Sequence, residues 1–173
     1  FLATTTTSSL EATRNSLKAV NEIMKKQSQG AQIIGVHLEG PFINSRAKCA
    51  QAEKYILPAS RDNFAELVGE YEGIVRRITM APDIEGAQEL TEYLVNNGIV
   101  VSMGHTAASY EKCIEGIEWG MSHATHFYNA MTPLKHREPG AVGAFMERED
   151  TTIELIADFV HVHPTALKIA IGL

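Results

Sequence analysis

Five side chains that could bind a metal ion or transfer a proton follow short apolar segments of the chain. Glu39 follows QIIGVHL, His105 follows IVVSMG, and His126 follows MSHAT. Asp158 ends TTIELIAD, and His161 lies just beyond it. A carboxylate with two neutral imidazoles is a common ligand set for a divalent transition metal, and three protein ligands leave a position for water. These residues predict a metal centre, provided that the fold brings their segments together.

The apolar segments alternate with helical patterns along the whole chain. Six segments are typical of strands: 1–7, 32–38, 74–82, 99–105, 121–126 and 151–158. Helical periodicity lies between them, with Ser60 as a predicted N-cap and the sequence NNG at 96–98 as a predicted helix end. Strands that alternate with helices favour a parallel sheet with right-handed crossovers.

Two architectures fit this alternation, an open doubly wound sheet and a (β/α)8 barrel of the TIM type. An open sheet that binds a nucleotide usually has a glycine-rich turn after its first strand, and the sequence has none. In a barrel the C-terminal ends of the strands meet at one mouth, where active sites lie. A single histidine at a strand end is usually structural, so the metal hypothesis depends on the coincidence of three such positions.

Composition and charge exclude several classes of protein. The chain has 173 residues, of which 45% are hydrophobic and 21% charged, and its formal net charge is -6. This is an ordinary globular composition with enough residues for one core. The acidic balance disfavours nucleic acid as a partner, and no apolar run approaches the roughly 20 residues of a membrane helix. Cys49 and Cys113 make no disulfide framework, so we expect reduced thiols in a cytoplasmic protein.

Five sequence strings carry a resemblance to a known family. They are GVHLEGPFIN, SMGHTAASY, ATHFYNAM, REPGAVGA and IADFVHVHP, in this order. Together they closely resemble the N-acetylglucosamine-6-phosphate deacetylases of the amidohydrolase superfamily, over essentially the whole chain. The resemblance implies an incomplete (β/α)8 TIM-type barrel of about six β/α units, in which residues 1–173 are part of one domain that lacks the first and last strands.

The resemblance also implies a reaction and a set of site residues. The reaction is metal-dependent hydrolysis of the acetamide of N-acetylglucosamine 6-phosphate, which gives glucosamine 6-phosphate and acetate in amino-sugar catabolism. The implied metal ligands are Glu39, His105 and His126, in agreement with the strand-end argument, and the ion would be Zn²⁺ or Fe²⁺. The implied substrate contacts are Ala50, Asn129, the backbone N–H of Ala130, Arg137 and His161.

Arg137 is implied to reach the phosphate from the neighbouring subunit of a homodimer. A guanidinium suits that role because its planar fork pairs with two oxygens. His37 shares a strand face with Glu39, and it is either structural or orients a ligand or loop.

The sequence departs from the family pattern in several places. Phe159 and Cys49 stand where glycine is usual, which makes the substrate loops bulkier. The family's His-x-His pair and its catalytic aspartate are not found, and we expect the aspartate beyond Leu173. We therefore expect a central fragment of a longer enzyme that is inactive by itself, with no catalytic residue of its own and with two unpaired sheet edges.

Two alternatives to the deacetylase hypothesis stay open at this point. Another metal hydrolase of the same superfamily, acting for example on cyclic amides, needs no phosphate arginine, so the role of Arg137 separates the two. A non-catalytic fragment that binds a sugar phosphate or packs with a partner chain predicts no metal and a large exposed apolar surface. Both Zn²⁺ and Fe²⁺ suit the three ligands, and one or two ions fit the sequence.

Overall fold

The structure is a computed structural model that describes residues 1–26 and 29–172. In this part of the chain the strands are β1 Leu2–Thr4, β2 Gly35–Glu39, β3 Val75–Met80, β4 Val100–Met103, β5 His123–Ala124 and β6 Thr152–Ile153. The helices are α1 Leu10–Lys26, α2 Arg61–Val68, α3 Ala87–Asn96, α4 Tyr110–Glu118, α5 Gly140–Met146 and α6 Pro164–Ile171. None of these helices combines the length and the apolar content that crossing a bilayer requires.

The strands form one parallel sheet in the order β1-β2-β3-β4-β5-β6. Each strand pairs with its neighbours in sequence, so the order never reverses as it does in a doubly wound sheet. Arg77 on β3 contacts the carboxylate of Glu154, which directly follows β6 three strands away. This contact across the inner face shows that the sheet is curled. The predicted barrel-type fold is therefore confirmed, as a curled half-barrel of six strands.

The two faces of the sheet differ in polarity. Successive strand residues point to opposite faces, and on β2 the side chains of Val36 and Leu38 are fully buried in the core shared with the helices. The opposite, inner face is polar. Its residues aligned by the strand register are Glu39, Thr79, Ser102 and His123. The sheet thus packs its apolar side chains against the helices and presents hydrogen-bonding groups on its concave inner face.

Each of the first three helices buries a large apolar side chain against the outer face of the sheet. Leu17 of α1, Phe64 of α2 and Leu90 of α3 have no exposed surface. Burial of each such side chain contributes about 1.5–3 kcal/mol to folding. The predicted cap of α2 is also present, because the Ser60 hydroxyl accepts a 3.1 Å hydrogen bond from the N–H of Asn63. These contacts fix the helices and thereby the loops that follow the strands.

All six strands are shorter than the segments that the sequence predicts, and three of them are reduced to two or three paired residues. The predicted segments 1–7, 121–126 and 151–158 contain only the three, two and two residues of β1, β5 and β6. The residues after each short strand leave the sheet and form the loops at its C-terminal edge. The prediction that Asp158 ends a strand is therefore wrong, since it lies in a bend beyond Ile153, the last residue of β6.

Candidate functional site

The side chains of Glu39, His105 and His126 meet at the C-terminal edge of the sheet. Glu39 is the last residue of β2, and the two histidines lie two positions beyond β4 and β5. Glu39 Oε1 is 3.4 Å from His105 Nε2 and 3.2 Å from His126 Nε2. The two Nε2 atoms are 3.1 Å apart. Residues separated by up to 87 positions in the sequence thus form one cluster of potential ligand atoms.

Backbone carbonyls fix the tautomer of both imidazoles. His105 Nδ1 lies 2.9 Å from the carbonyl oxygen of Ala47, and His126 Nδ1 lies 3.0 Å from that of Asn129. A carbonyl oxygen only accepts hydrogen bonds, so each Nδ1 carries the proton and donates it. In the neutral imidazoles the Nε2 lone pairs therefore point towards Glu39 Oε1. Three acceptor atoms then face one another, which is unfavourable unless a cation or additional protons lie between them.

The spacing of the three atoms fits a transition-metal ion. Ligands about 2.0–2.1 Å from a tetrahedral Zn²⁺ lie about 3.3–3.4 Å from one another. Extra protons on the imidazoles are the alternative. Burial by itself raises the pKa of Glu39, but hydrogen bonds and charge from His105 and His126 outweigh burial and hold that pKa well below its usual range. The carboxylate is therefore ionised and attracts a cation or protonated imidazoles.

The loops that carry the histidines have unusual backbone conformations. His105 has φ 48° and His126 has φ 33°, in the left-handed region that non-glycine residues rarely adopt. Ala130, at φ 52°, continues this pattern after His126. Left-handed residues persist only where surrounding contacts hold them, and they cluster at functional sites. These turns direct the side chains back across the strand ends towards Glu39.

Gln51 is a site residue that the sequence analysis missed. Its side-chain N–H donates a 2.9 Å hydrogen bond to Glu39 Oε2, the carboxylate oxygen that does not face the histidines. Its carbonyl oxygen accepts from the Thr6 hydroxyl at 2.7 Å and from the Thr7 N–H at 2.8 Å. Gln51 therefore leaves Oε1 as the single oxygen directed at the imidazoles. The only signal in the sequence was its position next to Ala50, in the loop already associated with substrate.

The predicted substrate residues differ in how they are connected to the cluster. Asn129 and Ala130 lie three and four positions after His126, and within the described residues the Ala130 N–H donates to no protein group. Ala50 is exposed beside Gln51. Arg137 and His161 are exposed on separate loops, and Arg137 forms no hydrogen bond or ion pair with any residue of 1–26 or 29–172. Asn129, Ala130 and Ala50 are therefore connected to the cluster through His126 and Gln51, whereas no contact among the described residues joins Arg137 or His161 to it.

Asp158 belongs to the loop of His161 and not to the cluster. Its carboxylate accepts hydrogen bonds from the N–H groups of Val160 at 2.9 Å and His161 at 2.8 Å, and it lies 2.6 Å from His161 Nδ1. The backbone and side-chain hydrogen bonds of His161 lower the pKa of Asp158 to about 2. Asp158 thus orders the loop and orients the imidazole of His161, with Nε2 pointing away from the pair.

Two further histidines lie on the polar inner face. His37 Nε2 is 2.7 Å from the Thr79 hydroxyl, and His123 Nδ1 is 2.7 Å from the Ser102 hydroxyl. Burial, assisted by the charge of Arg77, lowers the pKa of each imidazole to about 4. Both are neutral at pH 7, and both join adjacent strands. His37 was expected either to be structural or to orient a ligand, and its hydrogen bond is made to a neighbouring strand.

The chain is similar to known proteins in both sequence and structure. No family model matches the chain. N-acetylglucosamine-6-phosphate deacetylase from Bacillus subtilis is 40% identical over 141 residues, which cover 82% of this chain and 36% of the relative. N-acetylgalactosamine-6-phosphate deacetylase from Escherichia coli O157:H7 is 32% identical over 98% of this chain and 45% of the relative. The chain spans less than half the length of these curated relatives.

Solved structures give the same result. The crystal structure of N-acetylglucosamine-6-phosphate deacetylase from Thermotoga maritima matches with a TM-score of 0.87 and 37% identity, over 99% of this chain and 46% of that one. An Asp-to-Ala variant of the Mycobacterium smegmatis enzyme, in complex with N-acetyl-D-glucosamine-6-phosphate, matches with a TM-score of 0.88 and 31% identity. That match covers 98% of this chain and 44% of the other.

Fold and relatives together define the class of protein. The half-barrel, with its polar strand ends, corresponds to the barrel of deacetylases that act on N-acetylated sugar phosphates, which are hydrolases. Within this class the chain belongs to the N-acetylglucosamine-6-phosphate deacetylase family. The resemblance noted in the sequence is thereby confirmed.

Proposed function

We propose that this chain supplies the metal ligands of an enzyme that hydrolyses the acetamide of N-acetylglucosamine 6-phosphate to glucosamine 6-phosphate and acetate. The observation that carries the proposal is the convergence of Glu39 Oε1 with the Nε2 atoms of His105 and His126, at mutual distances of 3.1–3.4 Å. The activity of the relatives supports this choice of substrate, and the cluster supports metal-dependent hydrolysis.

The ligand set suits Zn²⁺ and Fe²⁺ alike, because neutral imidazole and carboxylate bind both ions. When bound, such an ion supplies Lewis acidity and lowers the pKa of a water molecule towards about 7. The protein contributes the arrangement of the ligands. The carbonyls of Ala47 and Asn129 keep both Nε2 lone pairs available, and Gln51 engages the other oxygen of Glu39. We assign proton transfer to none of the described residues.

The sugar phosphate is proposed to bind across the loops beside the cluster. The Ala130 N–H, in its left-handed turn, is available to an anionic oxygen, and Asn129 holds the sugar next to it. Ala50 offers its backbone beside Gln51. His161, oriented by Asp158, contacts the far end of the substrate. Anchoring the substrate at a distance from the acetamide orients the reacting bond and so lowers the barrier.

Arg137 is proposed to complete the phosphate site of a second subunit in a homodimer. Its exposure and its lack of partners among residues 1–26 and 29–172 support a role outside its own subunit. A guanidinium that pairs with two phosphate oxygens confers specificity for a phosphorylated sugar. Arg137→Ala should therefore raise KM for the phosphorylated substrate while kcat changes little. A hydrolase of cyclic amides would show no such change.

The proposed activity is tested on the full-length protein. Acetate release from N-acetylglucosamine 6-phosphate is measured before and after chelation and after addition of Zn²⁺ or Fe²⁺, and bound metal is measured by elemental analysis. Glu39→Gln and His126→Asn should abolish both metal binding and turnover, since each removes one of three ligands. Glu89→Gln, a substitution of an exposed glutamate on α3, is the control and should change neither. Full turnover by the metal-free enzyme would refute the proposal.

A second substrate follows from one of the relatives. The Escherichia coli protein that shares 32% identity over 98% of this chain is an N-acetylgalactosamine-6-phosphate deacetylase. The two sugars differ only in the configuration of one hydroxyl, so both have the same acetamide and phosphate. Comparison of kcat/KM for the two substrates assigns the preference. The third hypothesis, a non-catalytic fragment that binds sugar phosphate, predicts binding of both sugars without bound metal or acetate release.

We retain the cytoplasm as the proposed location. The thiols of Cys49 and Cys113 are free, and Cys113 is buried on α4. Burial raises the pKa of Cys113 to about 12, so its thiol stays protonated and unreactive. Free thiols suit a reducing compartment. Separation of cell fractions with an antibody to the protein tests this location, and recovery of the protein in a secreted fraction would contradict it.

A further inference from the structure

Asp83 joins three successive loops at the C-terminal edge of the sheet. It lies three residues beyond the end of β3, and its carboxylate accepts three hydrogen bonds. The Thr106 hydroxyl donates at 2.6 Å to Oδ1, while the side-chain amide of Asn44 at 2.7 Å and the N–H of Ala107 at 3.2 Å donate to Oδ2. Asn44 belongs to the loop after β2, and the other two donors belong to the loop after β4.

These contacts surround the left-handed turn at His105. The Asn44 N–H donates at 3.0 Å to the carbonyl oxygen of His105, and the Thr106 N–H donates at 3.1 Å to the carbonyl oxygen of Ala130. Thr106 is 1% exposed. Asp83 therefore holds, through their side chains, both Thr106, which follows His105, and Asn44, which donates to the His105 carbonyl oxygen. A left-handed conformation needs such external contacts to persist.

We propose that Asp83 is a positioning residue that holds His105 in the conformation needed for metal binding, through Thr106 and Asn44. The inference rests on the proposed function, because it concerns a ligand of the proposed metal site. Asp83 itself is not a ligand: its oxygens are engaged by the two loops, and it is not a member of the cluster of potential ligand atoms. Residues that orient a metal-binding histidine typically change metal affinity about 10–100-fold when they are replaced.

The test uses the full-length protein and measures Zn²⁺ affinity by competition with a chelator. Asp83→Ala should weaken Zn²⁺ binding about 10–100-fold. Thr106→Val should weaken it in the same direction, because it removes the hydroxyl that reaches Asp83 while keeping the side-chain volume. Thr106→Ser keeps the hydroxyl and should bind Zn²⁺ nearly as the unaltered protein does. Asp62→Asn, at an exposed aspartate of α2, controls for loss of a negative charge.

Two further measurements separate positioning from general stability. The absorption spectrum of the Co²⁺-substituted protein reports on the arrangement of ligands, and it should change in Asp83→Ala and Thr106→Val but not in Thr106→Ser. The double variant Asp83→Ala/Thr106→Val should lose little more affinity than the weaker-binding single variant, because both substitutions break one pathway. If Asp83→Ala does not fold, Thr106→Val and its serine counterpart carry the same comparison.

Each outcome decides the inference. Zn²⁺ affinity within about threefold of the unaltered protein in Asp83→Ala and Thr106→Val, with unchanged Co²⁺ spectra, overturns the role of Asp83 and leaves the proposed function intact. A lower unfolding temperature of the metal-free variants with unchanged affinity also overturns it, because Asp83 is then only structural. Absence of metal binding in the unaltered protein refutes the proposed metal site, and the inference with it.

Discussion

Replacement of Gly104 by alanine tests how closely the strand ends must approach one another. Gly104 stands between β4 and His105, where a Cβ atom would lie 2.5 Å from Cγ2 of Thr125 and 3.1 Å from Cγ2 of Thr79. It would also lie 3.5 Å from Cε1 of His126. The two methyl groups belong to buried side chains of the adjacent strand ends, so the added carbon has no solvent to enter.

The magnitude follows from the displacement that this contact requires. Extending the 2.5 Å separation to the 3.4 Å of ordinary contact moves Gly104 or Thr125 by about 0.9 Å. Overpacking of this kind in a well-packed interior costs about 1–3 kcal/mol of unfolding free energy. Thr125 immediately precedes His126, so the same shift also displaces a proposed ligand. We therefore expect Gly104→Ala both to destabilise the protein and to weaken Zn²⁺ binding.

The assay is urea unfolding of the metal-free protein, combined with chelator competition for Zn²⁺. Gly73→Ala is a matched control, because its Cβ would meet no atom within 4 Å and its φ lies outside the left-handed region. That substitution should leave stability unchanged or raise it by up to about 1 kcal/mol. If Gly104→Ala unfolded like the control and bound Zn²⁺ equally well, the close approach of the strand ends would not constrain the site.

Three further predictions concern single contacts. Gln51→Leu removes the hydrogen bond to Glu39 Oε2 and should weaken Zn²⁺ binding about 10–100-fold in chelator competition; an unchanged dissociation constant would contradict this role. Ser60→Ala removes the cap that accepts from Asn63 and should lower the free energy of urea unfolding by about 1 kcal/mol, whereas no loss would mean that solvent replaces the cap. His123 has a pKa of about 4 in the folded protein and is therefore protonated more readily in the unfolded chain, so the free energy of unfolding falls as the pH falls from 6.5 towards 4. His123 accounts for a loss of about 2 kcal/mol between pH 7 and pH 5. In His123→Asn this part of the pH dependence should be absent when unfolding curves at pH 7 and pH 5 are compared.

The alternation of strands and helices could be predicted from the sequence because it depends on local patterns. The β-branched segment that becomes β2 and the capped helix α2 are specified by neighbouring residues, and the structure has both. The bounds of β1, β5 and β6 could not be predicted in this way. Their paired length depends on where the next loop leaves the sheet, which non-local hydrogen bonds determine.

The sequence also identified Glu39, His105 and His126 as candidates, because each follows a strand and parallel strands of a barrel end at one edge. Gln51 was indicated only by its position beside Ala50, and Asp83 by nothing in the sequence pattern. Both act through hydrogen bonds to other loops, and neither residue type nor local spacing distinguishes such a residue from an ordinary surface amide or carboxylate.

Residue type and position along the chain thus determined which elements form and which side chains stand at strand ends. Only the tertiary structure decided that the sheet curls, that the left-handed turns bring Oε1 and the two Nε2 atoms within 3.4 Å of one another, and that backbone carbonyls hold both imidazoles in one tautomer. The physical reason is range: periodicity and capping act over a few residues, whereas the contacts that Glu39 and His105 make in the cluster join residues 21 to 87 positions apart.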